Sequence, residues 1–181
     1  MADTGAALLA TFDYVWRRFT DRLVGLTDEE YFWEPVAGCW SMRPDSNGRW
    51  SLDGGGGGGP APEPVPVATI AWRIAHLAGL GLGGFADRRF GEGSLTPNAV
   101  ELATTVEALP GFLQANYETW RRGMVGLDHD GWTQPLGPSW GPFAEASTTD
   151  LALHVLDEVV HHAAEVGLLR DLYQHRSTFR A

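Results

Sequence analysis

Four stretches of this chain place apolar side chains three and four residues apart, and no stretch alternates apolar with polar residues as a strand would. That pattern confines the fold to helix packed on helix. In residues 6–26, Leu8, Leu9, Phe12, Val15, Trp16, Phe19, Leu23 and Leu26 recur at helical steps, with Asp13, Arg17 and Arg22 between them, predicting an amphipathic first helix. Thr27 followed three residues later by Glu30 has capping-box spacing and opens a short helix through Tyr31 and Trp33 that ends at Pro35. Residues 67–82 predict the second long helix, with Ile70, Ile74 and Leu77 along one side and His76 beside them. The third begins near Thr96-Pro97, a hydroxyl N-cap before a proline, and runs to about residue 124 with a kink or break at Pro110-Gly111. The fourth starts at Ser147, with Asp150 in capping-box position, and carries Leu151, Val155, Val159, Val166, Leu169 and Leu172. The expected fold is all-α: an antiparallel four-helix bundle with long irregular loops, forming one domain over residues 1–181.

Two compositional features bound what the connections do. Residues 54–59 are six consecutive glycines followed by Pro-Ala-Pro-Glu-Pro-Val-Pro, which predicts a mobile loop over about residues 53–66, because ordering that many glycines costs too much backbone entropy. No Lys-Ser/Thr follows the run and no strand precedes it, so it is not a nucleotide cradle and receives no functional role. Residues 36–50 and 128–146 read as irregular loops rich in Trp, Gly and Pro, with Trp33, Trp40, Trp50, Trp132 and Trp140 capping the apolar ends of the bundle or lining a pocket.

Charge and inventory exclude several function classes. Thirteen basic residues, all Arg, stand against 23 acidic ones for a net charge of −10, which disfavours nucleic acid. With no Lys, Schiff-base chemistry and a phosphate-loop lysine are ruled out. The one cysteine, Cys39, closes no internal disulfide and reads as a small packed hydrophobe. Residues 1–10 lack the basic start and apolar run of a signal peptide, and Arg73, His76 and the glycines at 79, 81, 83 and 84 interrupt the one weakly polar stretch. A cytoplasmic protein with no membrane association is expected.

The chemistry concentrates on the fourth helix. At 100° per residue, His154, Glu158, His161, His162 and Glu165 fall within an arc of roughly 100°, so they share one face amid Val, Leu and Ala. Glu158 and His162 stack one turn apart and can chelate one ion, and His76, in Ile70-Ala-Trp-Arg-Ile-Ala-His76-Leu, offers a third ligand from a facing helix. Three protein ligands leave a coordination position open, as catalytic rather than structural zinc sites do. The bland alternative makes these histidines satisfied core residues. His129 and His175 lie in loop and tail contexts and rank lower. A di-iron centre needs a second copy of Glu158-x-x-His161, and none exists. Gly137-Pro-Ser139-Trp-Gly141, with Asp157 and His162 downstream, matches a nucleophile elbow in order, but prolines at 135, 138 and 142 and the lack of a strand contradict it.

Together these residues resemble the DinB/YfiT-like superfamily of metal-binding four-helix bundles. The resemblance is carried by residues 26–35 with Trp40-Ser41, by Thr69-Ile-Ala-Trp-Arg-Ile-Ala-His76-Leu, and by Glu158-Val-Val-His-His162-Ala-Ala-Glu165-Val-Gly-Leu-Leu-Arg170-Asp171-Leu-Tyr173. Many members use three histidines; here Glu158 stands for the first of the pair on the last helix, which resembles the metal-binding domain of mycothiol-dependent maleylpyruvate isomerases. The resemblance implies a divalent metal, zinc by preference over nickel, manganese or iron, held by His76, Glu158 and His162. It implies activation of a low-molecular-weight thiol such as mycothiol, or of water, in a thiol-dependent S-transferase or isomerase-type reaction on a small-molecule substrate. His161 and Glu165 are then proton-transfer candidates or hydrogen-bond partners of the ligands, and a homodimer is expected. The alternative is a metal- or small-molecule-binding module without catalytic activity.

Overall fold

The computed structural model describes residues 4–57, 59–60 and 62–179. Helix α1 (Thr4–Asp21) buries Phe12, Trp16 and Phe19 and ends in a turn, before the expected Leu26, as the chain bends at Gly25 with φ +75°. Helix α2 (Asp28–Tyr31) is a single turn, started by the Thr27 hydroxyl, which accepts from the Glu30 amide at 3.2 Å.

The segment read as irregular holds a small antiparallel hairpin, β1 (Met42–Pro44) with β2 (Trp50–Leu52), Met42 facing Leu52. Its turn is organised by the Asp45 carboxylate, which accepts from the amides of Asn47 at 2.7 Å and Arg49 at 2.9 Å. Strands of three residues are too short to display alternation in sequence.

The second long helix starts later and runs further than expected. Thr69 caps α3 (Ile70–Ile74), a wide π-helical segment follows at Ala75–Gly83, and α4 (Gly84–Phe90) completes the rod. Sequence reasoning placed the third helix's start too early. Pro97–Ala99 forms one 3₁₀ turn, and the long helix α5 (Leu109–Val125) begins twelve positions after Pro97. Pro110 therefore does not break a helix; it sits in the first turn of one, where its missing amide hydrogen has no partner to lose. The expected loop at 128–146 contains α6 (His129–Thr133) and a 3₁₀ turn at Pro138–Phe143. Helix α7 (Thr148–Gln174) starts as predicted: Ser147 and Asp150 cap each other's backbone amides in a complete capping box.

The fold is thus mostly helical, with one two-stranded sheet among the described residues. Helix α7 packs on α1 on one side and on α3 and the π segment on the other, while α5 packs on the π segment, α4 and α1. One core forms from Phe12 and Trp16, Ile70 and Ile74, Leu113 and Trp120, and Val155 and Val159. Arg170, deep in α7, donates from Nε to Glu30 Oε1 at 2.8 Å and from Nη1 to the carbonyls of Arg22 and Val24. That buried ion pair ties the α1–α2 connection to α7. No described helix is long and apolar enough to cross a membrane.

Candidate metal centre

The packing of α3 and the π segment against α7 brings together residues 82 and 86 positions apart in sequence. His76, Glu158 and His162 offer ligand atoms that all lie within 4.8 Å of one another. His76 Nε2 and His162 Nε2 each stand 3.3 Å from the same oxygen, Glu158 Oε2. Donors about 2.0–2.1 Å from a tetrahedral ion stand roughly 3.3–3.4 Å apart, so the observed spacing matches one shared cation.

The tautomers sharpen the fit. A backbone carbonyl only accepts, so His76 Nδ1, 2.7 Å from Gly56 O, carries a proton, and in the neutral ring Nε2 is the atom with a free lone pair. His162 Nδ1 lies 2.6 Å from Glu165 Oε2, the oxygen that also pairs with Arg73 Nη1. Burial raises the Glu165 carboxyl, but the His162 hydrogen bond and the Arg73 charge outweigh it and hold the group below its usual value. The ionised carboxylate accepts the His162 Nδ1 proton, so His162 Nε2 is bare as well. Two imidazole lone pairs and a carboxylate oxygen converge with no proton between them on neutral rings. A carboxylate oxygen and two imidazole nitrogens, each imidazole held through its other nitrogen, are a donor set suited to a divalent cation.

The walls hold the rings in place. Trp72 stacks on the His76 ring at 5.0 Å between centroids and 7° between planes, and anchors itself by donating from Nε1 to Asp53 O at 2.9 Å. Trp40 leans on Trp72 at 5.4 Å. The glycine run, given no role from sequence, belongs to the site: Gly54, Gly55, Gly56 and Gly57 all have positive φ, and the strap they form aims the Gly56 carbonyl at His76. A Cβ on Gly57 would sit 3.2 Å from the Trp72 ring and 3.4 Å from His76, which explains why this part of the run is glycine. Gly58 and Ala61, part of the expected mobile loop, lie outside the described residues.

Arg73 was missed by sequence reasoning, although a charge three residues before His76 in an apolar helix was a usable signal. Its side chain is only 14% exposed, and its Nε is buried without a hydrogen-bond partner among the described residues. Burial lowers its guanidinium from the ordinary value, against the Glu165 carboxylate, which raises it. His161, by contrast, is 61% exposed at the rim, with Nε2 3.3 Å from Glu165 Oε1. His161, His162 and Glu165 also cluster closely enough for an ion, but the Arg73 cation already faces this group.

The remaining candidates fall elsewhere. His154 is exposed and meets Phe85 edge-on at 5.7 Å, while His129 and His175 join no three-ligand group among the described residues. Ser139 lies in a 3₁₀ turn with no strand leading into it, and its carbonyl accepts from Arg88 Nη2. Cys39 is buried, which pushes its thiol up, and Sγ is engaged with Val36 O at 3.0 Å. A cleft of about 720 Å³ opens onto the three ligands and is walled by Trp40, Trp72, Leu77, Leu80 and Phe85.

A family model for the DinB superfamily matches residues 11–166, a span that contains every residue of the centre. The chain belongs to the DinB superfamily. Neither the curated proteins nor the solved structures yield a match. In this chain the candidate ligand group comprises two histidines and one glutamate on two helical segments.

Proposed function

We propose that this DinB superfamily protein is a metal-dependent enzyme of the thiol S-transferase or isomerase type. In this reading its long helical segments form an antiparallel four-helix bundle around a divalent ion, zinc by preference, held by His76, Glu158 and His162. The observation that carries it is the pair of Nε2 atoms, each 3.3 Å from Glu158 Oε2, on rings whose Nδ1 atoms face Gly56 O and Glu165. When bound, a zinc ion with three protein ligands supplies an open position and lowers the pKa of a thiol or water that reaches it. The chain's own residues do the rest: Gly56 and Trp72 orient His76, and Glu165 holds the His162 ring. His161, exposed beside Glu165, is placed to carry a proton to solvent.

Mycothiol or a related low-molecular-weight thiol is the proposed co-substrate, since among the described residues no Ser or Cys lines the cleft at the candidate ligand group. A homodimer is part of the same reading, supported by Val160 and Leu168, which are 47% and 59% exposed on α7. The test is metal content by plasma mass spectrometry on untagged protein, with His162→Ala alongside. About one zinc per chain, lost in the variant, is expected; retention of stoichiometric metal by His162→Ala overturns the ligand assignment. Metal without any change in the reactivity of added thiols moves the chain to the class of binding modules.

A further inference from the structure

A second cavity adjoins the ligand cleft. It measures about 390 Å³ and lies between α4, the 3₁₀ turn at Pro138–Phe143 and the start of α7, walled by Leu136, Trp140, Phe143 and Ala146. Phe85, Arg88 and His154 line both spaces, so the apolar chamber is the immediate neighbour of the cleft that holds Glu158 and His162. His154 precedes Glu158 by four residues, about 6 Å along α7. A molecule seated in the chamber therefore has its other end beside the ligand group.

At the junction stands one cation. Arg88 is held with its guanidinium carbon 4.3 Å from the Trp140 ring centre, and it donates to the Ser139 carbonyl. Among the described residues no carboxylate reaches it within ion-pair distance. Asp150, the acidic residue lining the chamber, is engaged by the Ser147 amide and hydroxyl, both at 2.7 Å. The planar fork of Arg88, with donors to spare, suits a carboxylate. The walls suit an apolar body: Phe85 and Trp140 stack on each other at 6.0 Å and 26°, and together they form one aromatic side of the chamber.

We infer that the chamber is a substrate subsite for a small aryl carboxylate, its ring against the wall made by Phe85 and Trp140 and facing Leu136 and Phe143, its carboxylate on Arg88, and its remaining end directed past His154 toward the candidate ligand group. This deepens the proposed function by naming a substrate class, and it rests on that cleft being where the chemistry occurs.

The probes are phenylacetate and its neutral analogue phenylacetamide, titrated by ligand-observed NMR against the full chain, both zinc-loaded and chelator-treated. Phenylacetate is expected to bind at least about tenfold more tightly than the amide in both forms. Arg88→Gln abolishes that preference and leaves amide binding in place, while Ala146→Phe, which fills the chamber, weakens both. Metal content of both variants stays at the wild-type value. A preference that survives Arg88→Gln, or that vanishes on chelation, places the carboxylate on the metal instead and overturns the subsite. An Arg88-dependent preference in a chain that takes up no metal upholds the subsite while overturning the proposed metal chemistry.

Discussion

Arg73 shows how one side chain governs a centre it does not touch as a ligand. It pairs with Glu165, Glu165 accepts from His162 Nδ1, and His162 Nε2 faces Glu158. Without the guanidinium, Glu165 is a half-buried carboxylate beside a histidine, and the tautomer that bares Nε2 loses its enforcement. Hydrogen-bond partners of metal-binding histidines are worth about 10–100-fold in affinity. Arg73→Met is therefore expected to weaken zinc binding by about tenfold or more, read by competition with a chromogenic chelator, with Arg73→Lys falling between it and wild type. Unchanged affinity in Arg73→Met would show that Glu165 orients His162 unaided. The three candidate ligands were legible because each is an ionisable group among apolar helix positions. Gly56 was not: its contribution is a carbonyl, which every residue has, and only folding shows where it points.

At the scale of elements, apolar periodicity located the body of α1, though not its end at Asp21, and the Ser147/Asp150 capping box located the start of α7, since both are written in local chemistry. The third helix was misplaced because Thr96-Pro97 and Ala108-Leu109-Pro110 carry competing start signals. Tertiary contacts decide between them: Tyr31, from α2, donates to Ala103 O at 3.0 Å, and Asp28 accepts from the Val106 amide at 2.6 Å, holding 100–108 in a non-helical path. Helix α5, once started at Leu109, docks on α1 through Tyr117, which donates to Asp13 at 2.7 Å beside Arg121. Partial burial, and then the Asp13 hydrogen bond, push the Tyr117 hydroxyl up to about 12. A tyrosine whose folded pKa lies above its unfolded value of about 10 contributes stability that is complete below pH 10 and lost as the pH rises toward 12. Tyr117→Phe is expected to cost about 1 kcal/mol at pH 8 by urea denaturation. That difference from wild type should shrink between pH 10 and 12, whereas a constant gap would detach the hydrogen bond from the docking.

The whole molecule closes its core by joining α3 and the π segment to α7, and the ligand group lies across that joint. His76 contributes from one side, Glu158 and His162 from the other, and the unfolded chain holds them more than 80 residues apart. An ion that binds this arrangement and not the unfolded chain must stabilise the fold by mass action, by about 2.7 kcal/mol when free ion is 100 times its dissociation constant. For a domain of this size that corresponds to a rise of roughly 5–11 °C in Tm. Zinc added to chelator-treated wild type is therefore expected to raise Tm in scanning calorimetry by that amount, in a concentration-dependent way. His76→Ala and His162→Ala should each melt at a temperature that zinc leaves unchanged. The two variants test different halves of the joint, since His76 is anchored by the glycine strap and His162 by Glu165. If zinc still raised the Tm of His76→Ala by the full amount, binding would be confined to α7, and the centre would not span the joint.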